Sequence, residues 1–197
     1  MPAELFTNIK VALCDRLKNL DPHLTYHNLA HTLDVLDQSE RIAVREGISS
    51  PEEVFLLKVA ALYHDSGFLE SYADHEKMSC MIFLQDAERF EFTKNQKDTV
   101  VALIMATCIP QAPQNLLECI ICDADLDYLG RDDFFEIGDT LRKEFLYYKI
   151  VKNDAEWEKI QLKFFQTHRY HTVSSQIERE PVKRLHYDKL VADNLAG

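Results

Sequence analysis

Apolar residues recur every three or four positions along most of this chain, which is the spacing of one face of an α-helix. The first such stripe runs through residues 3–20. Later stripes predict helices over about 28–46, 51–63, 74–89, 93–106, 116–129, 132–151 and 154–169, with 172–195 closing the fold. No segment alternates between polar and apolar residues for long enough to predict a strand. The predicted fold class is therefore all-α.

Start and stop signals flank several of these stripes. Ser50-Pro51-Glu52-Glu53 places a serine N-cap, a proline at the first helical position and a glutamate two residues later. Thr93 and Gln96 have the spacing of a capping box, and Gly47 is suited to follow a helix end. The stretch 54–63 is almost wholly apolar, so we expect this helix to be surrounded by the others.

The chain has 197 residues and no repeat, linker or low-complexity tract, which fits one domain over residues 1–197. It carries 22 lysines and arginines against 33 aspartates and glutamates, a net charge of −11. Binding to a nucleic acid polymer depends on clustered cations, so none is expected here. A small anionic substrate is still compatible with this charge, because a bound metal ion is the largest local charge in a site.

The five cysteines lack the pattern of a disulfide framework. The first residues do not resemble a signal peptide, and no apolar run approaches the ~18 residues of a membrane helix. We therefore expect a cytoplasmic protein without membrane contact. Cys119 and Cys122 also have the spacing of a redox or zinc pair, but their apolar flanks favour a buried helix.

Polar residues interrupt the apolar segments at a few positions. His64 and Asp65 directly follow the apolar helix, and Asp125 lies inside another apolar segment. A buried charge without a partner is costly, and coordination of a metal ion removes that cost. His27 and His31 are four residues apart, so near a helix start they can face one cavity. Imidazole and carboxylate ligands suit divalent metals from manganese to zinc.

The order of these residues resembles the HD superfamily of metal-dependent phosphohydrolases. The stretch 26–35, Tyr-His-Asn-x-x-His-x-x-Asp-Val, is similar to the one that opens the catalytic domain of cyclic-nucleotide phosphodiesterases. The stretch 123–130, Asp-Ala-Asp-Leu-Asp-Tyr-Leu-Gly, resembles the last metal motif of small bacterial HD proteins. The resemblance covers about residues 26–130 and implies a single helical bundle that residues 131–197 complete.

The resemblance implies that His31, His64, Asp65 and Asp125 bind a divalent ion of manganese, iron, cobalt, nickel, zinc or magnesium. Water activated by that ion would attack a phosphoester, with Asp65 orienting the water or bridging to a second ion. Matching the final motif selects Asp125 as the ligand. Asp123 is then either a hydrogen-bond partner of a ligand histidine or a residue near the substrate.

Four further residues receive roles from the resemblance. His27 has the position of a proton donor, and an imidazolium can protonate a leaving group near neutral pH. His75 and Asn28 are expected to bind substrate. His75-Glu76 resembles a His-Glu-x-x-Ser segment of small HD proteins, which leaves substrate contact, general base or support of a second metal open; we expect Glu76 to be catalytic.

The sequence thus predicts a metal-dependent phosphohydrolase acting on a nucleotide or another small phosphoester. A regulatory HD module without catalysis and an HD-type di-iron oxygenase remain alternatives. The oxygenase needs more histidine ligands, and only His75 lies between His64-Asp65 and Asp125. The sequence leaves open whether the phosphoester is cyclic or linear, the identity and number of the metal ions, and the oligomeric state.

Overall fold

A computed structural model describes residues 2–196, and side chains over residues 4–194. Within residues 2–196 it contains helices and no strand, so the prediction of an all-α fold is confirmed. The α-helices are α1 (Pro2–Leu17), α2 (Leu29–Arg45), α3 (Pro51–Tyr63), α4 (His75–Arg89), α5 (Lys94–Ala106), α6 (Leu116–Asp125), α7 (Phe134–Tyr147), α8 (Asp154–Thr167), α9 (Val173–Glu178) and α10 (Glu180–Ala196). Short 3₁₀ helices span Ser66–Leu69 and Asp127–Gly130.

The helix boundaries follow the capping signals of the sequence. The Ser50 side chain accepts a hydrogen bond from the Glu53 backbone N–H at 3.3 Å and caps α3. Thr93 and Gln96 form both hydrogen bonds of a capping box at the start of α5. Gly47, just after α2, has a φ of 75°, a backbone conformation that glycine adopts without strain. These three predictions are confirmed.

Helix α3 lies at the centre of the main hydrophobic core, packed against α1, α2, α5 and α6. Every residue from Val59 to Leu62 is fully buried, as the apolar stretch 54–63 predicts. The helix ends at Tyr63, directly before His64 and Asp65. The position of these two residues is therefore fixed by a rigid, buried element.

The segment 116–129 is not one continuous helix, and this boundary prediction was wrong. Helix α6 ends at Asp125, and a 3₁₀ turn follows from Asp127. The break directs the fully buried Asp127 carboxylate to Arg41 at 2.7 Å and to Arg179 at 2.9 Å. The helical periodicity of the sequence does not reveal these long-range ion pairs. The closing segment is likewise divided at Arg179 into α9 and α10.

The C-terminal helices build a second hydrophobic cluster beside the first. Tyr26, Leu129, Phe134, Phe165 and Tyr170 are among its buried members. Helices α7 and α10 both pack on the 3₁₀ turn that follows α6. Residues beyond 131 therefore cover the side of the bundle that carries Tyr26 and the end of α6.

All five cysteines carry free thiols. The Cys122 thiol is buried and donates to the Ala106 carbonyl oxygen at 3.1 Å, as expected for a cysteine in a packed helix. Among the helices that the structure describes, none combines the length and the apolar character needed to cross a bilayer.

Candidate metal centre

Two imidazoles and two carboxylates from α2, the end of α3 and α6 meet in one place. The Nε2 atom of His31 lies 3.4 Å from Oδ2 of Asp65 and 3.2 Å from Oδ1 of Asp125. The Nε2 atom of His64 lies 3.2 Å and 3.6 Å from the same two oxygens. The two imidazole nitrogens are 3.3 Å apart. The structure thus brings together the four residues that the sequence suggested as metal ligands.

His31 is positioned by the start of α2. The Asn28 carboxamide oxygen accepts hydrogen bonds from the backbone N–H groups of Ala30 at 2.9 Å and His31 at 3.3 Å. The Asn28 amide nitrogen donates to the carbonyl oxygens of Thr25 at 2.9 Å and Leu24 at 3.3 Å. This side chain therefore caps the helix and closes the preceding turn. The geometry gives Asn28 a structural role, and the substrate contact that the sequence suggested stays a prediction.

His64 is oriented by its own helix. Its Nδ1–H donates to the carbonyl oxygen of Ala61 at 2.9 Å, which leaves Nε2 as the atom that faces Asp65 and Asp125. Ligand histidines are commonly held by such a hydrogen bond on the other ring nitrogen. The arrangement fixes both the tautomer and the ring plane.

One carboxylate oxygen of Asp65 is buried without a hydrogen-bond donor among the described residues and is suited to bind a cation. This atom, Oδ2, accepts no hydrogen bond of normal geometry from that part of the chain. Buried carboxylate oxygens are usually hydrogen-bonded or bound to an ion. One ligand atom from each of His31, His64 and Asp65 falls within 4.8 Å of the other two. These donors fit a divalent metal ion, with Asp125 beside both imidazoles.

The four groups stabilise one another's charges. Burial by itself lowers the pKa of an imidazole, but Asp125 and Asp65 outweigh it, raising the pKa of His31 to about 9. The same carboxylates raise the pKa of His64 above its usual range. Burial by itself raises the pKa of a carboxyl, but both imidazoles outweigh it for Asp125 and lower its pKa to about 2. The pKa of Asp65 is also well below its usual range.

His27 lies one helical turn before His31 and is held by Glu144. The Nδ1–H of His27 donates to the Glu144 carboxylate. That carboxylate also accepts from the backbone N–H groups of Tyr26 at 2.9 Å and His27 at 3.0 Å, and from the Tyr72 hydroxyl at 3.0 Å. Burial raises the pKa of Glu144, but the hydrogen bonds and charge of His27 outweigh it and lower the pKa overall. Glu144 is therefore a buried anion that orients His27.

The local sequence around Glu144 did not predict this role. Glu144 lies in α7, within Arg142-Lys143-Glu144-Phe145, where a glutamate beside basic residues reads as part of a solvated face. Its side chain is nevertheless fully buried. One sequence feature suggests its burial: Glu144 shares a helix with Leu141 and Phe145, which places it near an apolar stripe.

His75 and Glu76 also face the centre, as the first residues of α4. Nε2 of His75 lies 3.4 Å from Oδ1 of Asp65 and 3.5 Å from Oε1 of Glu76. The His75 ring stacks on Phe68 at 4.1 Å and the His27 ring stacks on Phe68 at 4.5 Å, and the two imidazole centroids are 6.0 Å apart. Asp65 thus faces two imidazoles through Oδ2 and a third through Oδ1.

Gly67 allows α4 to approach this closely. A Cβ atom at Gly67 would lie 1.9 Å from the carbonyl oxygen of His75. The Gly67 backbone N–H also donates to the Ser79 hydroxyl at 2.7 Å. The turn after Asp65 is therefore packed directly on the helix that carries His75.

Asp123 points away from the centre. Its carboxylate accepts hydrogen bonds from the backbone N–H groups of His171 and Thr172, both at 2.8 Å, and from the Thr172 hydroxyl at 2.7 Å. It anchors the start of α9 and contacts neither His31 nor His64. The expectation that Asp123 supports a ligand histidine was wrong, because residues two apart on a helix face different directions, and its proximity to a substrate stays a prediction.

The geometry defines a helical protein with a buried His-Asp cluster suited to a divalent cation. A family model for the HD domain matches residues 28–127, just over half of the chain. The chain therefore belongs to the HD domain family, whose members generally are metal-dependent hydrolases and typically bind divalent metal ions. No curated protein and no solved structure gives a significant match.

Proposed function

We propose that this protein is a phosphohydrolase and that His31, His64, Asp65 and Asp125 hold its divalent metal ion. The observation that carries the proposal is the buried Oδ2 atom of Asp65, which lacks a hydrogen bond and lies 3.2–3.4 Å from two imidazole nitrogens. When bound, a divalent ion supplies an acidified water nucleophile near neutral pH and Lewis-acid stabilisation of a phosphoryl group.

His27 donates the proton that the leaving group needs. As water adds to phosphorus, the ester P–O bond breaks and its electron pair moves onto the ester oxygen. That oxygen takes the proton from Nε2 of His27, because Nδ1 is occupied by Glu144. The buried Glu144 carboxylate stabilises the imidazolium before transfer and fixes the ring orientation. The products are an alcohol and inorganic phosphate, or a phosphomonoester if the substrate is a diester.

His75 and Glu76 complete the proposed site. Both line the same cavity as His27 and Asp65. Since His75 is an imidazole within 3.4 Å of Asp65, it is suited to contact a phosphate oxygen next to the metal position. Glu76 lies 3.5 Å from His75 and is the carboxylate available to accept a proton from the attacking water. Asn28 is not part of this proposal.

A direct test uses metal-stripped protein reloaded separately with manganese, iron, cobalt, nickel, zinc or magnesium. Phosphate release is measured on a panel of phosphomonoesters and phosphodiesters, and oxygen consumption is recorded for the iron sample. We expect phosphate release that appears only after reloading. Metal binding without turnover on any ester would favour a regulatory module. Oxygen consumption that depends on iron, without phosphate release, would favour an oxygenase.

A further inference from the structure

The candidate site opens into a cavity of about 310 Å³ with two unlike parts. One part consists of the polar side chains already described. The other is an apolar wall contributed by α7 and α8. This wall is made of Leu141, Phe145, Trp157, Ile160 and Phe164. The volume is within the usual range of small-molecule sites, and such sites bury most of their ligand.

The charges in the cavity restrict how many phosphates a ligand carries. The ionisable groups that line it include the carboxyls of Asp65, Glu76 and Asp125 and the imidazoles of His27 and His75. Over the described residues, no lysine or arginine lines it. One phosphate beside a metal ion is well compensated. A second phosphate further along would meet either carboxylates or the apolar wall, and burying an uncompensated anion is strongly unfavourable.

The cavity also offers few hydrogen bonds to a sugar. The Thr107 hydroxyl is already donated to the carbonyl oxygen of Ile104 at 2.8 Å. The rings of Tyr26 and Tyr128 line the same cavity and pack against each other with their centroids 5.5 Å apart. Sugar hydroxyls buried against the apolar wall would therefore lose hydrogen bonds to water, with the Gln161 carboxamide the one neutral amide that the described residues place in the lining to replace them, which costs binding free energy.

We propose that the substrate is a phosphoester with a single phosphate and an apolar alcohol portion that lies against the apolar wall. This inference rests on the proposed function for the phosphate end and on the cavity alone for the alcohol end. Each methylene buried in an apolar environment contributes up to about four-fold in affinity, because its transfer is worth ~0.8 kcal/mol. Affinity should therefore rise with chain length until the cavity is filled.

The chain contains its own reporter of occupancy. Trp157 is the only tryptophan and is nearly buried in the apolar wall, with its ring 5.6 Å from that of Phe145. A ligand chain that fills the cavity changes the surroundings of this indole. The fluorescence of Trp157 therefore follows binding independently of turnover.

Binding is measured on the metal-loaded protein with methyl-, butyl-, hexyl- and octylphosphonate, whose P–C bond is not hydrolysed, and with adenosine monophosphate. Phosphate release is measured with the matching alkyl phosphates. We expect the affinity and kcat/KM to rise by about three- to four-fold per methylene over the first steps of the series. Affinity that is flat along the series, or adenosine monophosphate binding more tightly than octylphosphonate, would overturn the inference.

A matched pair of variants locates the effect. Ile160 lines the cavity but is 42% exposed, so Ile160→Asn leaves the core intact. Ile177 is 70% exposed on α9 and lies outside the cavity, so Ile177→Asn is the control. We expect the ratio of octyl to methyl affinity to fall several-fold in Ile160→Asn and to stay at the wild-type value in Ile177→Asn. Equal ratios in both variants would exclude the apolar wall as the binding surface.

The two measurements separate the two proposals. If binding depends on chain length but no ester releases phosphate, the inference of an apolar ligand stands and the proposal of hydrolase activity is wrong. If phosphate is released but affinity does not depend on chain length, the proposal of hydrolase activity stands and the inference of an apolar ligand is wrong.

Discussion

The imidazole of His27 donates its Nδ1 proton to the carboxylate of Glu144, a residue 117 positions later in the chain. The acceptor is fully buried on α7, and the donor lies just before α2 on the rim of the metal centre. The contact couples the C-terminal helices to the residue that we propose as the proton donor. Our proposal therefore involves a carboxylate outside residues 28–127, the part matched by the HD domain.

The first prediction concerns this pair. Glu144→Gln keeps the shape of the side chain and removes the negative charge that stabilises the His27 imidazolium. We expect kcat to fall by about 10–100-fold, as is usual for partners that orient a functional imidazole, with metal content unchanged. Glu136→Gln, on the exposed face of the same helix, is the control and should behave as wild type.

The second prediction contrasts the two histidines of the first motif. His27→Ala should retain the metal and lower kcat by about 10²–10⁴-fold, the range of general acid–base catalysis. His31→Ala should lose the metal, because Nε2 of His31 lies within 3.4 Å of both Asp65 and Asp125. The defect of His27→Ala should shrink on a nitrophenyl ester, whose leaving group needs little protonation. Equal metal loss in both variants would make His27 a ligand or a structural support.

The third prediction concerns Asp65. Its carboxylate faces three imidazoles, so Asp65→Ala should remove most of the bound metal and nearly all activity. Asp37→Ala removes an exposed carboxylate from α2 and is the matched control. Metal analysis and phosphate release are measured on both. Full occupancy and turnover in Asp65→Ala would contradict the ligand assignment.

The fourth prediction concerns pH. The pKa of His31 rises from 6.5 to about 9 in the folded, metal-free protein, so its contribution to stability is complete below pH 6.5 and is lost as pH rises through about 9. The lowered pKa of Asp125, about 2, contributes stability above pH 3.8 that is lost only as pH falls through about 2. The chelated protein should therefore melt at a lower temperature near pH 9.5 than near pH 6.

Metal ions compete with protons for the ligand imidazoles, so the stabilisation that a metal ion gives should depend on pH in the opposite direction. The rise in Tm caused by zinc should grow between about pH 6 and pH 9, because His31 and His64 must lose their protons to bind an ion. Thermal unfolding followed by circular dichroism, with and without chelator, checks both trends. A zinc effect that declines across this window would argue against imidazole ligands.

The fifth prediction concerns the turn after Asp65. Gly67→Ala puts a Cβ atom 1.9 Å from the His75 carbonyl oxygen, so α4 must move away. We expect a loss of about 3 kcal/mol in the free energy of unfolding, at the upper end of overpacking effects. Gly47→Ala meets no neighbour within 4 Å and should cost only ~1 kcal/mol, from its positive φ. Urea denaturation compares the two, and a smaller loss for Gly67→Ala than for Gly47→Ala would contradict this close packing.

Short-range sequence patterns were sufficient to predict most of the helices. The caps at Ser50 and Thr93 and the end of the apolar helix at Tyr63 depend on a few neighbouring residues, so their patterns predicted them. The gathering of His31, His64, Asp65 and Asp125 was also predictable, because buried polar residues require partners and the resemblance to the HD motifs selected these four. The sequence alone thus determined the all-α class and the HD membership.

Tertiary structure decided what depends on long-range contacts. Glu144 and Asp127 have their roles because of partners that are distant in the sequence, and Asp123 differs from Asp125 only in the direction it faces. The apolar wall likewise exists only because α7 and α8 fold back over the metal centre. Helical periodicity specifies which face of a helix is apolar, but the packing of the whole chain determines which residues that face meets.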